Sequence, residues 1–199
     1  MSILSARAIK RIPNILTVGR IALVPIIVAI FYLTPGTFST ETANNIALAA
    51  FFIAGFSDYL DGHIARKYNA HSEFGATFDP IADKLLVTVM LLLFVKLARA
   101  DLVLVTLLIS REIIMSGFRE WMSKVGKAAA VKVSNLGKYK TTAQMLAIGF
   151  LVANRYELVD GYNTYHIGNI LLVIATILSL VSLADYFYRA FQSQAMKQA

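Results

Sequence analysis

The chain consists of long apolar stretches separated by short polar segments. Apolar side chains dominate six stretches, over residues 13–33, 43–62, 80–97, 102–118, 141–153 and 167–188. About 20 residues of α-helix cross the hydrocarbon core of a bilayer. The fifth stretch is shorter and has to use its polar ends to cross. The pattern predicts six membrane-spanning helices, the second of which continues as a helix to Lys67.

Two boundaries stay open at this point. Residues 2–11 mix apolar and basic side chains, which suits either a short helix lying in the membrane interface or a frayed basic tail that only sets topology. The third span follows Asp79-Pro80, because proline is tolerated in a first helical turn and Asp79 can cap the helix. The alternative is a helix that begins earlier and kinks at Pro80. The fold prediction is an all-α, polytopic membrane protein with six transmembrane helices and a short N-terminal interfacial helix.

Composition supports the membrane class. The chain is 57% hydrophobic and 16% charged, whereas soluble domains carry about 25% charged residues. Its 199 residues are expected to form a single domain, residues 1–199, without a disulfide framework because cysteine is absent. The net charge of +7 indicates anionic membrane lipids and phosphorylated substrates as partners, and no nucleic acid.

The basic residues predict the orientation. Only Lys96, Arg99 and Arg155 fall on the side of the membrane opposite to the N-terminus. The other side carries Arg7, Lys10, Arg11, Arg66, Lys67, Arg189, Lys197 and the basic residues of segment 119–140. Since cytoplasmic loops are enriched in lysine and arginine, both termini are predicted to be cytoplasmic.

Four aspartates lie close together in the sequence at the cytoplasmic ends of the second and third spans. Asp58 and Asp61 are three residues apart, and Asp79 and Asp83 are four apart, so each pair shares a helix face. Four carboxylates at one point need cations, and such hard oxygen ligands suit Mg²⁺, Mn²⁺ or Ca²⁺. The alternative is an ion pair of Arg66 with Asp58 or Asp61.

A polar stripe on the first span accompanies these aspartates. Asn14, Thr17 and Arg20 recur every three residues on an otherwise apolar helix, so they are expected to face protein and to line the site. The alternative is that Asn14 and Thr17 bond to neighbouring helices and that Arg20 snorkels to lipid headgroups. Thr77, inside the aspartate segment, is a further candidate for lining the site.

The aspartate segment resembles the signature of the CDP-alcohol phosphotransferases, Asp-x2-Asp-Gly-x2-Ala-Arg-x8-Gly-x3-Asp-x3-Asp. Its fixed positions are filled here by Asp58, Asp61, Gly62, Ala65, Arg66, Gly75, Asp79 and Asp83. The resemblance implies that the first seven bind the CDP part of a CDP-linked lipid. It also implies that Asp58, Asp61, Asp79 and Asp83 hold two divalent cations, Mg²⁺ or Mn²⁺, and that Asp83 takes the proton from the attacking hydroxyl.

Basic residues of the second half are candidates for binding a phosphorylated acceptor. Arg111 and Arg119 are eight residues apart, two helical turns, on nearly one face. Lys132, Lys138 and Lys140 complete the predicted pocket. The alternative for the lysines is topology alone, and for Arg111 it is a salt bridge to Asp83 or another buried acid.

The segments 111–122 and 137–145 are similar to one branch of the family, the bacterial phosphatidylglycerophosphate synthases. That branch implies CDP-diacylglycerol as donor, sn-glycerol 3-phosphate as acceptor, a homodimer, and a location in the bacterial inner membrane with the active site facing the cytoplasm. A related enzyme with another acceptor is the nearest rival. A cation transporter is disfavoured because the second half offers few acids on its helices.

Overall fold

The computed structural model describes residues 3–37, 39–68, 73–126, 135–155 and 163–195. All regular structure within these ranges is helical. The helices are α1 (Ile3–Thr37), α2 (Thr40–Tyr68), α3 (Glu73–Lys96), α4 (Leu102–Lys124), α5 (Asn135–Ala153) and α6 (Thr164–Ala195). The predicted all-α class is confirmed for this part of the chain, and each of the six predicted apolar stretches corresponds to one helix.

Among the described residues, two helices are both long enough and apolar enough to cross a membrane. They contain the stretches Pro13–Leu33 in α1 and Thr164–Phe191 in α6. The first of these coincides with the first predicted span. Together with the chain's apolar composition, these helices indicate association with a membrane.

The first helix is longer than predicted. The sequence suggested a short interfacial helix or a frayed tail before Pro13, but α1 runs without interruption from Ile3 to Thr37. Residues 3–12 are mostly good helix formers and contain no glycine, so nothing in them ends a helix. Pro13 removes one backbone donor without stopping the helix. The prediction of a separate N-terminal helix was therefore wrong.

The third helix begins before the aspartate-proline pair. α3 starts at Glu73 and contains Pro80, so the helix has the earlier of the two predicted starts, and residues 73–78 are helical. As a result Gly75, Asp79 and Asp83 lie on one helix at intervals of four residues. They share a face of α3, which a loop up to residue 78 would not have allowed.

Residues Met1–Leu93 form one compact unit, in which α1 packs against α2. Four of the buried positions of α2 are small and recur at helical spacing: Ala43, Ala47, Ala50 and Ala54. On α1 the buried positions are larger, and include Val24, Ile27 and Phe31. Small side chains on one helix let the backbones approach closely, which is common where helices pack in membranes.

Residues Phe94–Ala199 form a second compact unit, in which α6 packs against both α5 and α4. α6 approaches Leu151 of α5 closely at Gly168. A Cβ atom at this position would lie 2.7 Å from Cγ of Leu151 and 3.1 Å from its backbone nitrogen. Any larger residue here would force the Leu151 side chain, and to a smaller extent its backbone, to shift.

The turn between α3 and α4 is closed by backbone and side-chain hydrogen bonds. After α3, the backbone N–H of Arg99 donates to the carbonyl of Phe94 (2.7 Å) and that of Ala98 to Val95 (3.1 Å). This pattern requires a left-handed residue, and Ala98 supplies it with φ 53°. Asp101 then caps α4 by accepting from the N–H groups of Val103 and Leu104.

Candidate active site

Four aspartates surround one arginine in the N-terminal unit. Arg20 Nη1 lies 2.7 Å from Asp58 Oδ1 and also donates to Asp83, and Nη2 lies 3.2 Å from Asp79 Oδ1 and also donates to Asp61. These five side chains are called the acidic cluster below. Only 2% of the Arg20 side chain is exposed. The structure therefore brings together the two pairs of aspartates, each of which the spacing had placed on one helix face.

Helical spacing explains the arrangement. Asp58 and Asp61 lie one turn apart on α2, and Asp79 and Asp83 lie one turn apart on α3, so each helix offers a pair of carboxylates. Arg20 on α1 is long enough to reach both pairs. It is buried and paired, so the alternative that it snorkels to lipid headgroups is wrong.

Thr17 extends the contact between α1 and α3. Its hydroxyl, one turn before Arg20, donates to Asp79 and also contacts the carbonyl of Pro13 at 3.0 Å. Thr17 is fully buried and Asn14, one turn earlier, is half-buried, whereas Thr77 on α3 is exposed. The polar stripe of the first span thus faces protein at Thr17 and Arg20.

The acidic cluster carries more negative than positive charge. One guanidinium faces four carboxylates, so three formal negative charges are left within the cluster. About half of each of the Asp58 and Asp83 side chains is exposed, and Asp61 is buried. The cluster is therefore open on one side, where it can attract cations.

The four carboxylates are candidate ligands for a divalent cation. Within the described ranges, no three histidine, aspartate or glutamate side chains are arranged as ligands of one ion. The carboxylates instead direct oxygens at the guanidinium. Their chemistry nevertheless fits Mg²⁺ or Mn²⁺, because they are hard oxygen ligands with uncompensated charge.

The remaining signature positions flank the acidic cluster in sequence. Gly62 follows Asp61 on α2 and is half-buried, and Gly75 is buried on α3, one turn before Asp79. The side chains of Ala65 and Arg66 lie outside the described part of the structure. The predicted contact of Arg66 with phosphate and its alternative pairing with Asp58 or Asp61 therefore also lie outside the described part of the structure.

A second polar group lies in the C-terminal unit. Arg111 and Lys140 are both buried, and both donate to the same carboxylate oxygen, Oε1 of Glu112. The Arg111–Glu112 distance is 3.3 Å. Arg111, Glu112 and Lys140 are called the basic cluster below. The alternative for Arg111 was a salt bridge to Asp83 or another buried acid, and the acid that it contacts is the partly exposed Glu112.

Arg111 is also fixed to α6. Its Nε donates to the carbonyl of Ser179 and its Nη2 to the hydroxyl of Ser182, each at 3.3 Å. These bonds and the one to Glu112 use three of the five guanidinium N–H groups. Arg111 therefore keeps donors that can reach a further acceptor.

The other predicted acceptor residues are more exposed. Arg119 lies over the ring of Tyr186, with 5.6 Å to the ring centroid, and donates to its hydroxyl at 3.4 Å. Lys138 is exposed on α5, and Lys132 lies outside the described residues. The structure thus brings Arg111 and Lys140 together and ties Arg119 to α6.

Sequence reasoning gave Glu112 and the α6 side chains no part in a site, and it interpreted Tyr186, which is fully buried, as an interfacial anchor. The signal for α6 was present, since Ser179, Ser182 and Tyr186 recur at intervals of three and four on an apolar helix. The same kind of stripe had pointed to Thr17 and Arg20 on the first span. Glu112 was visible as an acid directly beside an arginine within an apolar segment.

Comparisons with known proteins identify a matching family and several similar proteins. The sequence pattern of a family described as CDP-alcohol phosphatidyltransferase matches residues 10–181. A protein of Haemophilus influenzae named CDP-diacylglycerol–glycerol-3-phosphate 3-phosphatidyltransferase is 42% identical over 179 residues, covering 88% of this chain and 90% of its own. Proteins of the same name from Shigella flexneri serotype 5b and Rickettsia typhi are 39% and 36% identical over 181 residues each. These cover 90% and 89% of this chain, and 94% and 96% of their own lengths.

Proposed function

Because the chain belongs to the CDP-alcohol phosphatidyltransferase family, we propose that it transfers the phosphatidyl group of CDP-diacylglycerol to sn-glycerol 3-phosphate. The products are phosphatidylglycerol phosphate and CMP, so the protein takes part in phospholipid synthesis. Relatives with this activity in their names match about nine-tenths of the chain. The structural observation that carries the proposal is the gathering of the four signature aspartates around Arg20.

The acidic cluster is the proposed donor site. Asp58, Asp61, Asp79 and Asp83 would hold divalent cations, Mg²⁺ or Mn²⁺ and two per site. Such cations, when bound, neutralise negative charge on the pyrophosphate of the donor. Gly62, Ala65, Arg66 and Gly75 would bind the CDP moiety together with the aspartates. The glycines allow a bulky ligand to lie against the backbone.

Asp83 is the proposed general base. Its carboxylate is half-exposed at the open side of the acidic cluster, although one oxygen is bound to Arg20. It would take the proton of an acceptor hydroxyl while that oxygen bonds to the lipid-side phosphorus. The bond between this phosphorus and the bridging oxygen breaks, and CMP leaves with the electron pair.

The basic cluster is the proposed acceptor site. Arg111 and Lys140, with Arg119, Lys132 and Lys138, would bind the phosphate of sn-glycerol 3-phosphate. Arginine suits this task because its planar fork binds two phosphate oxygens at once. The free donors of Arg111 and the exposed position of Arg119 support this assignment.

The proposed setting is the bacterial inner membrane. All six helices would span it, with both termini and the active site on the cytoplasmic side, and the whole chain, residues 1–199, would act as one domain. The lengths of α2, α3 and α4, at 29, 24 and 23 residues, are sufficient for spans. A homodimer surrounded by anionic lipids is the proposed assembly.

An acceptor panel tests the proposed function. Purified protein in lipid vesicles receives CDP-diacylglycerol and Mg²⁺ with glycerol 3-phosphate, inositol phosphate, serine or phosphatidylglycerol, and CMP release and lipid product are measured. We expect release with glycerol 3-phosphate and its loss on chelation of the metal. An equal response to all acceptors would contradict the acceptor assignment, and ion flux without CMP release would indicate a transporter.

A further inference from the structure

The basic cluster is held together by one carboxylate oxygen. Arg111 comes from α4 and Lys140 from α5, yet both donate to Glu112 Oε1. The side chains of the two cations are each 6% exposed, whereas that of Glu112 is 21% exposed. Two buried cations side by side repel each other, so their pairing depends on the shared anion.

The charge of the region matches a phosphate monoester. Arg119 is close enough for its charge to act on Lys140, as does that of Arg111. Three cations and one carboxylate leave two formal positive charges. A phosphate monoester carries about −1.5 to −2 at neutral pH, so it would neutralise the region. A neutral hydroxyl compound offers no such compensation.

The two cations are anchored differently. Arg111 has two contacts with α6 that do not involve Glu112. Lys140 has a long, flexible side chain whose ammonium is bound to Glu112. Loss of the carboxylate would therefore leave Arg111 in place and release Lys140.

We propose that Glu112 is a positioning residue for the acceptor phosphate, which holds the Lys140 ammonium beside Arg111 so that both cations bind one anion. The inference rests on the proposed function and extends it. Glu112 does not itself touch the phosphate in this scheme. It acts through Lys140 and favours acceptors that carry a phosphate.

The test uses Glu112→Gln in the full-length protein, with steady-state kinetics in which each substrate is varied. A neutral amide oxygen cannot offset two buried charges, so Lys140 should turn away. We expect the KM for glycerol 3-phosphate to rise about tenfold, because one charge-assisted contact to the phosphate is lost. The kcat and the KM for CDP-diacylglycerol should stay within about twofold, since the donor site is untouched.

Glu120→Gln is the matched control. Glu120 lies on the same helix and is paired with Lys124 at 2.7 Å, but both side chains are exposed. Its removal should leave both KM values unchanged. A fall in the KM for glycerol 3-phosphate in Glu112→Gln would show that Glu112 competes with the phosphate, and it would overturn the proposal. So would an unchanged KM, or equal rises for both substrates.

A double-mutant cycle separates positioning from a merely structural role. If Glu112 acts through Lys140, adding Glu112→Gln to Lys140→Gln should not raise the KM for glycerol 3-phosphate further. If the two substitutions instead raise this KM by factors that multiply in the double variant, the proposal is overturned. If Glu112→Gln does not fold, Glu112→Asp keeps the charge but is one methylene shorter, and the same rise in the acceptor KM alone is expected from it.

The wild-type protein separates this inference from the function beneath it. If the wild type is active on glycerol 3-phosphate but the effects of Glu112→Gln and Lys140→Gln multiply, only the positioning role of Glu112 is overturned. A wild type that releases no CMP with glycerol 3-phosphate overturns the proposed function and this inference together.

Discussion

Arg20 is the residue on which the acidic cluster depends. A single guanidinium, almost fully buried, is bound to four carboxylates from two other helices. Removing one partner of a buried ion pair is costly, because the remaining charges lose their compensation. Here four charges would lose it at once.

We therefore expect Arg20→Gln to destabilise the protein by about 3–5 kcal/mol, measured by thermal or denaturant unfolding in detergent. Added Mg²⁺ should raise the melting temperature of this variant more than that of the wild type, because the cation would replace the missing charge. Arg189→Gln, which breaks an exposed pair with Asp185, serves as control and should cost less than about 1 kcal/mol. Equal stability of Arg20→Gln and wild type would contradict this view of the cluster.

Asp83→Asn tests the base assignment. The substitution keeps the size of the side chain but removes its ability to take a proton. We expect kcat for CMP release to fall by at least about 100-fold while the protein still enters the membrane. Asp185→Asn on α6 is the matched carboxylate control and should keep most activity. Substantial turnover by Asp83→Asn would rule out this carboxylate as the base.

The site was only partly predictable at the level of single residues. The spacing of the aspartates shows which of them share a helix face, because that depends on helical geometry alone. It does not show that Arg20 is their common partner, since this depends on how α1 packs against the other helices. For the same reason Glu112 escaped notice, although Arg111 and Lys140 were predicted to act together.

At the level of helices, the existence of each element was predictable and several ends were not. Long apolar stretches identify helices reliably because their length and composition agree. The starts of α1 and α3 were misplaced, because proline is typical of a first helical turn, whereas both helices begin well before Pro13 and Pro80. The misplaced start of α3 hid the common face of Gly75, Asp79 and Asp83.

The close approach of α5 and α6 predicts the effect of a small substitution. Gly168→Ala would place a methyl group against the backbone of Leu151, so we expect a loss of about 1–3 kcal/mol in unfolding free energy. Gly149→Ala on α5 is the control, because nothing lies within 4 Å of its added methyl group. It should be neutral or stabilising, since alanine favours helix. Equal effects of the two changes would contradict the close contact.

At the end of α3, a substitution to glycine is expected to stabilise the protein. Ala98 adopts a left-handed conformation that costs a non-glycine residue about 1–2 kcal/mol. Ala98→Gly should therefore stabilise the protein by about 0.5–1 kcal/mol after the entropy cost of glycine is included. Ala100→Gly, two residues on, lacks this strain and should not stabilise. A lower melting temperature for Ala98→Gly would contradict the prediction.

At the level of the whole molecule, the basic residues predict an orientation that can be measured. The chain contains no cysteine, so single cysteines can be introduced without background. Ser39→Cys should react with an impermeant maleimide in intact cells, and Lys124→Cys only after the membrane is opened. Labelling of Lys124→Cys in intact cells would reverse the proposed topology.

The family of the protein was more predictable from the sequence than its fold or its acceptor site. The signature occupies eight fixed positions within 26 residues, so it specifies a chemistry more tightly than hydropathy specifies a fold. The proposed acceptor site has no such fixed pattern. Its described residues come from α4 and α5, and the pairing of Arg111 with Lys140 through Glu112 depends on helix packing that the sequence does not encode locally.

The position of Arg20 also bears on how the protein is made. During synthesis α1 leaves the ribosome first, and an unpaired arginine within a membrane helix costs about 2.5–3.5 kcal/mol on insertion scales. Its first partners, Asp58 and Asp61 on α2, follow some 40 residues later. The nascent α1 therefore carries an uncompensated charge until the end of α2 has been synthesised. A chain cut short before Asp58 should insert poorly into the bilayer and be degraded early by membrane proteases.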